Sequence, residues 1–469
     1  MTLLNYLRYE ATRTGTKEGC AEGDCGACTV MVGELMNDKI IYRAVNACIL
    51  FLPTLDGKEL LTVESLKSKD GFLHPVQKAL IETHGSQCGF CTPGFVMSLY
   101  ALYLKGRPSR KSEIEEALAG NLCRCTGYGP IIKAAGRMFE IGADELPDMA
   151  AKKLSLQGVT RGVTLEIKGK STLTGAKLDY YAPVTIDALK GILQANPDAI
   201  LLAGGTDVGL WVTKQQRELG CQVYLGAILE LREIREFSDH IEIGAGVSFS
   251  DAIKLLAEYY PDMGAVMRRI GSTQIRSSGT VGGNIANGSP IGDMPPLLIA
   301  AGAQICLTSV AGVRQMPLEN YFIEYGKQDI KPGEFLEKII LPKPTAGSSY
   351  FAYKISKRFD QDISALCAAF SLTFDGETVT AARIAYGGMA ATPKRASNAE
   401  AALVGKAFVE ANVKAAIVAL ADDFTPLSDM RASAGYRLQA AGNLIMKMYL
   451  EKSSGTQISV LDERTCHAS

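Results

Sequence analysis

Cysteines are concentrated near the start of this 469-residue chain, where eight of its twelve lie before residue 126. They form two sets of four with different spacings. The first set follows C-x4-C-x2-C with a distant fourth member, and it comprises Cys20, Cys25, Cys28 and Cys48. The second set pairs C-x2-C with a later C-x-C, and it comprises Cys88, Cys91, Cys123 and Cys125. The fold therefore has to bring two groups of four thiols together.

Crowded cysteines can form disulfides, bind zinc or hold iron-sulfur clusters. Disulfides require export, but residues 1–10 contain an early charge pair and no apolar signal-peptide core. Zinc sites generally pair two C-x2-C knuckles or add histidine, and neither set has that form. The first spacing is the one by which plant-type ferredoxins hold a 2Fe-2S cluster. The pattern favours two such clusters and disfavours the disulfide and zinc alternatives.

The neighbouring sequence differs between the two sets. Residues 18–28 carry three glycines, which let the backbone aim N–H groups at thiolates. Residues 29–32 and 40–42 then predict strands. This arrangement resembles a β-grasp ferredoxin domain.

The second set lies in a helical context. Apolar residues recur at helical spacing on both sides of the C-x2-C pair, namely Val76, Ala79 and Leu80 before it and Val96, Leu99, Tyr100 and Tyr103 after it. Pro93 and Pro130 fit first turns, and Ser112 with Glu115 predicts a capping box. We expect four helices to close over this set, with helix N-termini near the negative charge of a cluster.

Two glycine-rich stretches follow, after residues 142–177, whose mixed composition predicts a linker. Residues 200–203 predict a buried strand that leads into Gly204 and Gly205, a plausible phosphate-binding turn. The pair is not a G-x-G-x-x-G motif and also fits an ordinary tight turn. The second stretch, residues 280–288, shifts the balance towards a dinucleotide site.

The C-terminal part predicts an α+β unit. Residues 364–374 and 379–386 flank Asp375 and Gly376, a strong hairpin signal. Residues 408–421 and 431–450 predict helices. The remaining cysteines have no ligand spacing, and we expect three of them, Cys221, Cys306 and Cys367, to be buried small hydrophobic residues.

Composition excludes several functions. A net charge of −1 without a basic cluster argues against nucleic acid as a substrate, and no stretch is long enough to span a membrane, which predicts a cytoplasmic protein. None of the four histidines lies in a catalytic constellation. No catalytic side chain is predicted, and we expect bound cofactors to carry electron and hydride transfer.

Six segments of the chain together match the motifs of one family. They are residues 18–30, 87–94, 120–128, 203–208, 281–293 and 354–364. They resemble the molybdenum hydroxylase family, and within it the iron-sulfur and flavin subunit of the bacterial xanthine dehydrogenase type, over nearly the whole chain.

The resemblance implies a multidomain α+β architecture. A β-grasp 2Fe-2S ferredoxin domain, shortened at its N-terminus, would span residues 1–66, and a four-helix 2Fe-2S domain residues 67–141. After the linker, a two-part α+β FAD-binding domain of the vanillyl-alcohol-oxidase and CO-dehydrogenase-flavoprotein type would span 178–345. A C-terminal α+β flavoprotein domain would span 346–456, followed by a tail over 457–469.

The resemblance also implies the residues that contact FAD. Those around the diphosphate would be Leu201, Leu202, Ala203, Gly204, Gly205, Thr206, Asp207 and Val208. Those approaching the flavin and pyrophosphate would be Thr280, Val281, Gly282, Gly283 and Asn284. Asp293 would bind the ribityl or adenosine part, and Ile270, Leu336 and Lys354 match further flavin-contacting positions.

The function implied is an electron relay. Purine hydroxylation at a molybdopterin on a separate large subunit would deliver electrons to the helical-domain cluster, then to the ferredoxin cluster, to FAD and finally to NAD. The two subunits would form a heterotetramer. The alternative is the equivalent subunit of an aldehyde or N-heterocycle hydroxylase that uses oxygen or a quinone. A non-enzymatic zinc or assembly protein would instead be colourless and free of flavin.

Two local features carry further expectations. Residues 357–362 would influence NAD access, or else form an ordinary solvated charged loop.

The family usually has additional N-terminal strands before residue 3, so either the start codon is assigned too late or the first cluster is labile. We expect an open sheet edge and exposed apolar surface under the first cysteine loop.

Overall fold

A computed structural model describes residues 1–68, 70–142, 149–160, 162–172 and 174–457. The predicted tail lies outside the described residues except for its first position. The predicted multidomain α+β fold is confirmed. Within the described part, no helix is long and apolar enough to cross a lipid bilayer.

The N-terminal sheet domain is built on three antiparallel strands in the order β2-β1-β3. Their bounds are β1 (Thr29–Met36), β2 (Lys39–Asn46) and β3 (Glu59–Leu61). Asn37 and Asp38 connect β1 to β2 with φ values of 46° and 66°, the left-handed geometry that a two-residue hairpin turn requires. A short helix, α1 (Leu3–Asn5), continues as a π-helical turn over Tyr6–Glu10. The two strands predicted in this region are confirmed.

The apolar surface under the first cysteine loop is buried, which corrects the expectation that it would be exposed. Leu3 and Leu4 are fully buried together with Val30. Leu210 and Ile275 of the central domain complete this small core. The correction has a simple reason, because a neighbouring domain covers the side chains that the short sheet leaves open.

The helical domain contains the four predicted helices. They are α2 (Pro75–Glu82), α3 (Thr92–Lys105), α4 (Lys111–Leu118) and α5 (Gly129–Arg137). Pro93 and Pro130 lie in first turns as predicted. The predicted capping box is wrong, because α4 already begins at Lys111; instead the Ser109 hydroxyl donates to the Glu113 carboxylate at 2.9 Å.

The predicted linker contains regular structure, namely α6 (Met149–Val159) and β4 (Leu165–Ile167). Residues 143–148, 161 and 173 lie outside the described part. Helix α6 packs on the N-terminal sheet, where Lys152 Nζ lies 2.7 Å from Glu59 Oε1 and Leu156 is buried. The predicted linker thus carries a helix and a strand whose apolar residues find partners in neighbouring domains, which local periodicity does not reveal.

The central domain has two lobes. The first lobe is a mixed sheet in the order β4-β5-β7-β6 with two helices, comprising β5 (Tyr180–Ala182), α7 (Ile186–Ala195), β6 (Ile200–Leu202), α8 (Val208–Thr213) and β7 (Gln222–Tyr224). Strands β5, β7 and β6 are parallel, and β4 joins them antiparallel. The glycine-rich turn after β6 thus starts at the carboxyl end of a parallel strand, where open α/β sheets bind ligands.

The second lobe is a five-stranded antiparallel sheet in the order β11-β10-β14-β9-β8, packed against helices. Its elements up to the sheet's third strand are β8 (Ile234–Glu236), β9 (His240–Gly244), α9 (Phe249–Tyr259), α10 (Pro261–Arg268), α11 (Thr273–Ser278), α12 (Val281–Asn287), α13 (Met294–Ala300) and β10 (Gln304–Ser309). The remainder are β11 (Gly312–Pro317), the hairpin β12 (Phe322–Glu324) and β13 (Lys327–Gln328), and β14 (Phe335–Pro342).

The C-terminal domain is a four-stranded antiparallel sheet with helices against it. Its elements are β15 (Ser348–Ile355), β16 (Leu366–Asp375), β17 (Thr378–Gly387), β18 (Lys394–Arg395), α14 (Ser397–Leu403), α15 (Glu410–Asp423) and α16 (Ala434–Ser454). The predicted hairpin is confirmed, with Gly376 at a φ of 57° in its turn. Both predicted helices are confirmed as α15 and α16.

Candidate functional site

The first cysteine set surrounds one end of the N-terminal sheet. Cys28 directly precedes β1 and Cys48 follows β2, and their sulfur atoms lie 3.2 Å apart in a buried position. Cys20 accepts hydrogen bonds from the N–H groups of Asp24 and Cys25 at 3.3 and 3.4 Å. Interactions with the thiols of Cys25 and Cys48, and with the backbone N–H groups of Glu22 and Cys25, lower the pKa of Cys20. The loop thus favours a thiolate.

The second cysteine set lies where two helices begin. Cys91 is the N-cap of α3, while the C-x-C arm precedes α5. The thiol of Cys88 interacts with that of Cys125, and the thiol of Cys91 with that of Cys123. Cys88 and Cys125 are exposed, so this set opens to the surface.

The residues present fit the ligand set of a two-iron cluster. In the first set Cys20 interacts with Cys25 and Cys48, and Cys48 also with Cys28; in the second set Cys88 interacts with Cys125 and Cys91 with Cys123. Four thiolates are the ligand set of a 2Fe-2S cluster. Among the described residues, no group of acidic, histidine or cysteine side chains is arranged for a single metal ion, and none of the described cysteines forms a disulfide.

The cysteines outside the two sets differ in burial. Cys306 and Cys367 are buried, as predicted. Cys221 is only half-buried, because it lies just before the short strand β7 and not within a sheet core.

The two sets are direct neighbours. The N–H of Leu122 donates to the carbonyl oxygen of Cys25 at 3.0 Å, and Leu122 is bonded to Cys123. A Cβ atom on Gly26 would lie 2.2 Å from the carbonyl oxygen of Gly120, so only glycine permits this approach. One hydrogen bond thus joins the backbones that carry the two sets.

The glycine turn after β6 has free hydrogen-bond donors. The N–H groups of residues 204–207 have no acceptor in the described part of the chain. A Cβ on Gly204 would lie 1.9 Å from the carbonyl oxygen of Ser278, which brings this turn against the segment before the second glycine stretch. Leu201 and Leu202 end β6, and Val208 begins α8, so the predicted diphosphate residues form one continuous turn. Unused N–H groups in such a turn suit a phosphate oxygen.

The second glycine stretch plays a different structural role. Its N–H groups are already used, because Val281 donates to Val247 O at 3.0 Å, Gly282 to Ala245 O at 3.1 Å, and Gly283 to the Thr280 hydroxyl at 2.9 Å. A Cβ on Gly282 would lie 2.4 Å from that of Ala245. These glycines therefore let α12 approach the sheet closely, and the stretch offers a surface and not free donors.

A buried ion pair joins the central domain to the C-terminal domain. Lys354 Nζ is 2.7 Å from Asp293 Oδ2, and the Ser364 hydroxyl donates to Asp293 Oδ1 at 2.6 Å. Asn284 accepts from the N–H of Met294, next to this pair.

The two apolar residues predicted to contact flavin lie on the core of the second lobe. Leu336 is buried in it together with Val281, and Ile270 packs against it from a half-buried position. Strand β14, which carries Leu336, packs against α12 of the second glycine stretch.

Sequence reasoning missed a charged interdomain cleft between the N-terminal sheet and the central domain. It is lined by Ala203, Gly204 and Thr280 and by ion pairs, among them Arg232 to Glu34 and Arg43 to Asp251, each at 2.8 Å. Burial alone would raise the pKa of Glu34, but Lys58 and Arg232 lower it to about 2. No sequence signal could have found these pairs, because their members are about two hundred positions apart.

Three family models match the chain. A [2Fe-2S] binding domain matches residues 62–136, the FAD binding domain in molybdopterin dehydrogenase matches 176–344, and the CO dehydrogenase flavoprotein C-terminal domain matches 351–452. A 2Fe-2S domain and an FAD-binding domain are therefore present.

Curated relatives agree with these models. Xanthine dehydrogenase of Emericella nidulans is 32% identical over 479 residues, covering 90% of this chain and 35% of that protein. Xanthine dehydrogenase 1 of Arabidopsis thaliana is 33% identical and covers 87% of this chain and 35% of its own length. The chain spans about a third of the length of these relatives.

Solved structures extend the match to separate polypeptides. One chain of carbon monoxide dehydrogenase from Hydrogenophaga pseudoflava is 30% identical, with a TM-score of 0.55, and the match covers 60% of this chain and 96% of that one. A chain of quinoline 2-oxidoreductase from Pseudomonas putida 86 is 26% identical, with a TM-score of 0.54, and covers 60% and 98%. The chain therefore belongs to the molybdenum hydroxylase family of oxidoreductases, as one of its iron-sulfur and FAD-binding electron-transfer components.

Proposed function

We propose that this chain is the electron-transfer subunit of a xanthine dehydrogenase, which passes electrons from a molybdopterin-bearing partner through two 2Fe-2S clusters and FAD to NAD. The observation that carries the proposal is that both cysteine sets converge, and that one hydrogen bond, from Leu122 N–H to Cys25 O, joins them. FAD supplies the chemistry that links one-electron carriers to a hydride acceptor.

The order of the two clusters follows from their surroundings. The loop of the first set rests on the central domain, where Thr213 donates to Ala21 O at 2.7 Å and Ile49 packs against Gly209. The first cluster would therefore lie on the FAD side, held by Cys20, Cys25, Cys28 and Cys48.

The second set would face the partner. Its two exposed cysteines are surrounded by exposed apolar side chains, namely Phe90, Leu122 and Tyr128, which are 48, 47 and 37% exposed. Exposed apolar side chains clustered around a cofactor site are typical of an interaction surface. A molybdopterin-binding large subunit is the occupant that we propose, in a heterotetramer.

The FAD contacts are assigned to the glycine turn and its neighbours. The free N–H groups of residues 204–207 would bind the diphosphate. Asp293 and Lys354 are the charged side chains placed behind the second glycine stretch, and they would hold a polar part of the cofactor.

The first experiment is anaerobic addition of NADH to the purified protein, followed by low-temperature EPR. We expect two distinct 2Fe-2S signals. Cys28→Ser and Cys123→Ser should each remove a different one of them, while the control Cys221→Ser keeps both. Signals that appear only with dithionite would favour the alternative, in which an aldehyde or N-heterocycle hydroxylase uses oxygen or a quinone. A single signal in the parent protein would refute the two-cluster relay.

A further inference from the structure

A buried hydrogen-bond cluster joins three domains between the two cysteine sets. We call it the amide hub, and it consists of Thr29, Ser98, Asn121 and Gln274, each at most 2% exposed. Gln274 comes from α11 of the central domain. Its Nε2 lies 3.1 Å from the Thr29 hydroxyl, from the Ser98 hydroxyl and from Asn121 Oδ1. An amide has two N–H donors, so these three acceptors share them.

Every other member of the amide hub is tied to a segment that carries cysteines. Thr29 follows the last cysteine of the first loop and donates to Gly26 O at 2.6 Å. Asn121 lies two residues before the C-x-C arm and donates to the same carbonyl oxygen at 3.1 Å. Ser98 lies in α3, which begins at the C-x2-C pair, and donates to Asn121 Oδ1 at 2.6 Å. The hub therefore holds the segments of both sets.

Two glycines let the backbone approach the hub closely. A Cβ on Gly94 would lie 2.2 Å from Gly26 O, and a Cβ on Gly120 would lie 2.0 Å from Gln274 Oε1. That Oε1 atom is buried without a partner in the described part of the chain. Burying a glutamine costs free energy unless its polar atoms form hydrogen bonds. In Gln274 it is therefore the Nε2 group whose hydrogen bonds compensate for burial.

We propose that Gln274 is a positioning residue for electron transfer between the two clusters. It reaches from the central domain into the contact between the two cysteine segments and holds them at one distance and orientation. In the described residues it donates to no thiol, so it acts through Thr29, Ser98 and Asn121. This inference rests on the proposed function, in which both sets hold a cluster.

Two variants displace the amide by different routes. Gln274→Met keeps the approximate size and removes the donors. Gly120→Ala leaves Gln274 unchanged but places a methyl group where its Oε1 lies. The matched control is Thr273→Ala, which removes a neighbouring interdomain hydrogen bond from Thr273 to Glu116 O without touching the hub. Iron and FAD contents are measured for each protein.

The readout is the EPR spectrum after dithionite reduction, in which magnetic coupling between two reduced clusters depends on their separation and orientation. We expect both variants to change this coupling and to slow the appearance of the second cluster signal severalfold in freeze-quench experiments with NADH. The control should match the parent.

If both variants contain full iron and keep the parent's magnetic coupling and rate of cluster reduction, the proposed role of Gln274 is refuted. The proposed function is not affected by that result. If the parent protein shows two cluster signals with dithionite but not with NADH, the NAD relay is refuted instead. The coupling measurement then still tests Gln274.

Discussion

A single buried charge can be costly when it loses its partner, and Lys354 illustrates this at the scale of one residue. Its side chain is 2% exposed and that of Asp293 is 6% exposed, with the charged atoms 2.7 Å apart. Lys354 also donates to Arg269 O at 3.2 Å. Removing one member of a buried pair leaves the other as an uncompensated charge.

Lys354→Met is therefore expected to lower the free energy of unfolding by about 3 kcal/mol. FAD content should fall as well, since Lys354 is one of the proposed FAD contacts. Urea unfolding of the flavin-free protein measures the first effect, and the absorbance of the purified protein measures the second. Lys414→Met is the control, because its ion pair with Glu410 is exposed and should contribute below about 1 kcal/mol. Equal effects of the two changes would contradict this account.

At the scale of one element, residues 356–362 form a loop held between the central domain and the helical domain. The Arg269 guanidinium lies over the Phe359 ring at 4.4 Å and donates to Phe359 O at 3.2 Å. Gln361, with a φ of 55°, donates to Ala119 O of the helical domain. The loop is thus held at both sides, while Asp360 points to solvent.

Neutralising Asp360 and Asp362 together is expected to change NAD kinetics and to leave dye reduction intact. Removal of carboxylates near an anionic dinucleotide should lower its KM about twofold, a typical size for exposed charges. Asp362→Asn alone would loosen the loop, because Asp362 accepts the Arg358 N–H at 2.7 Å. Steady-state assays with both acceptors test this, with Asp187→Asn as a distant exposed control. Equal losses in both assays would count against a role in NAD access.

At the scale of the whole molecule, the ion pairs of the interdomain cleft fix the N-terminal sheet against the central domain. Glu34 forms ion pairs with both Arg232 and Lys58, at 2.8 and 3.4 Å. Its pKa is lowered from 4.5 to about 2, so its contribution to stability is complete above about pH 4.5. That contribution is lost as the pH falls towards 2, because protonation removes the charge that the cations stabilise.

Glu34→Gln should destabilise the protein by about 3 kcal/mol at neutral pH, since it leaves buried cations without their carboxylate. The difference in the free energy of unfolding between Glu34→Gln and the parent should become smaller below about pH 4.5. Thermal unfolding of the cluster-free protein as a function of pH measures both effects. Asp38→Asn, in an exposed pair on the same sheet, is the control and should show a small difference. A gap that stays constant down to pH 3 would contradict the assignment.

Local signals in the sequence predicted much of this molecule correctly. Cysteine spacing, prolines in first turns and the Asp375-Gly376 turn act over a few residues, and the helices and strands that they predict are present. The capping box at Ser112 failed because α4 already begins at Lys111, with Arg110 at its N-cap. The FAD contacts and the cluster ligands stay predictions. The turn at residues 204–207 has free N–H donors, which binding of the FAD diphosphate requires.

The sequence by itself determined the domain classes and the two groups of thiols, because ligand spacing and turn chemistry are properties of short segments. Only the tertiary structure decided how these parts meet. It placed Gln274 between the two cysteine sets, used α6 to cover the N-terminal sheet, and paired Glu34 with Arg232. These contacts join positions far apart along the chain, and the packing that selects them leaves no periodic pattern in either partner.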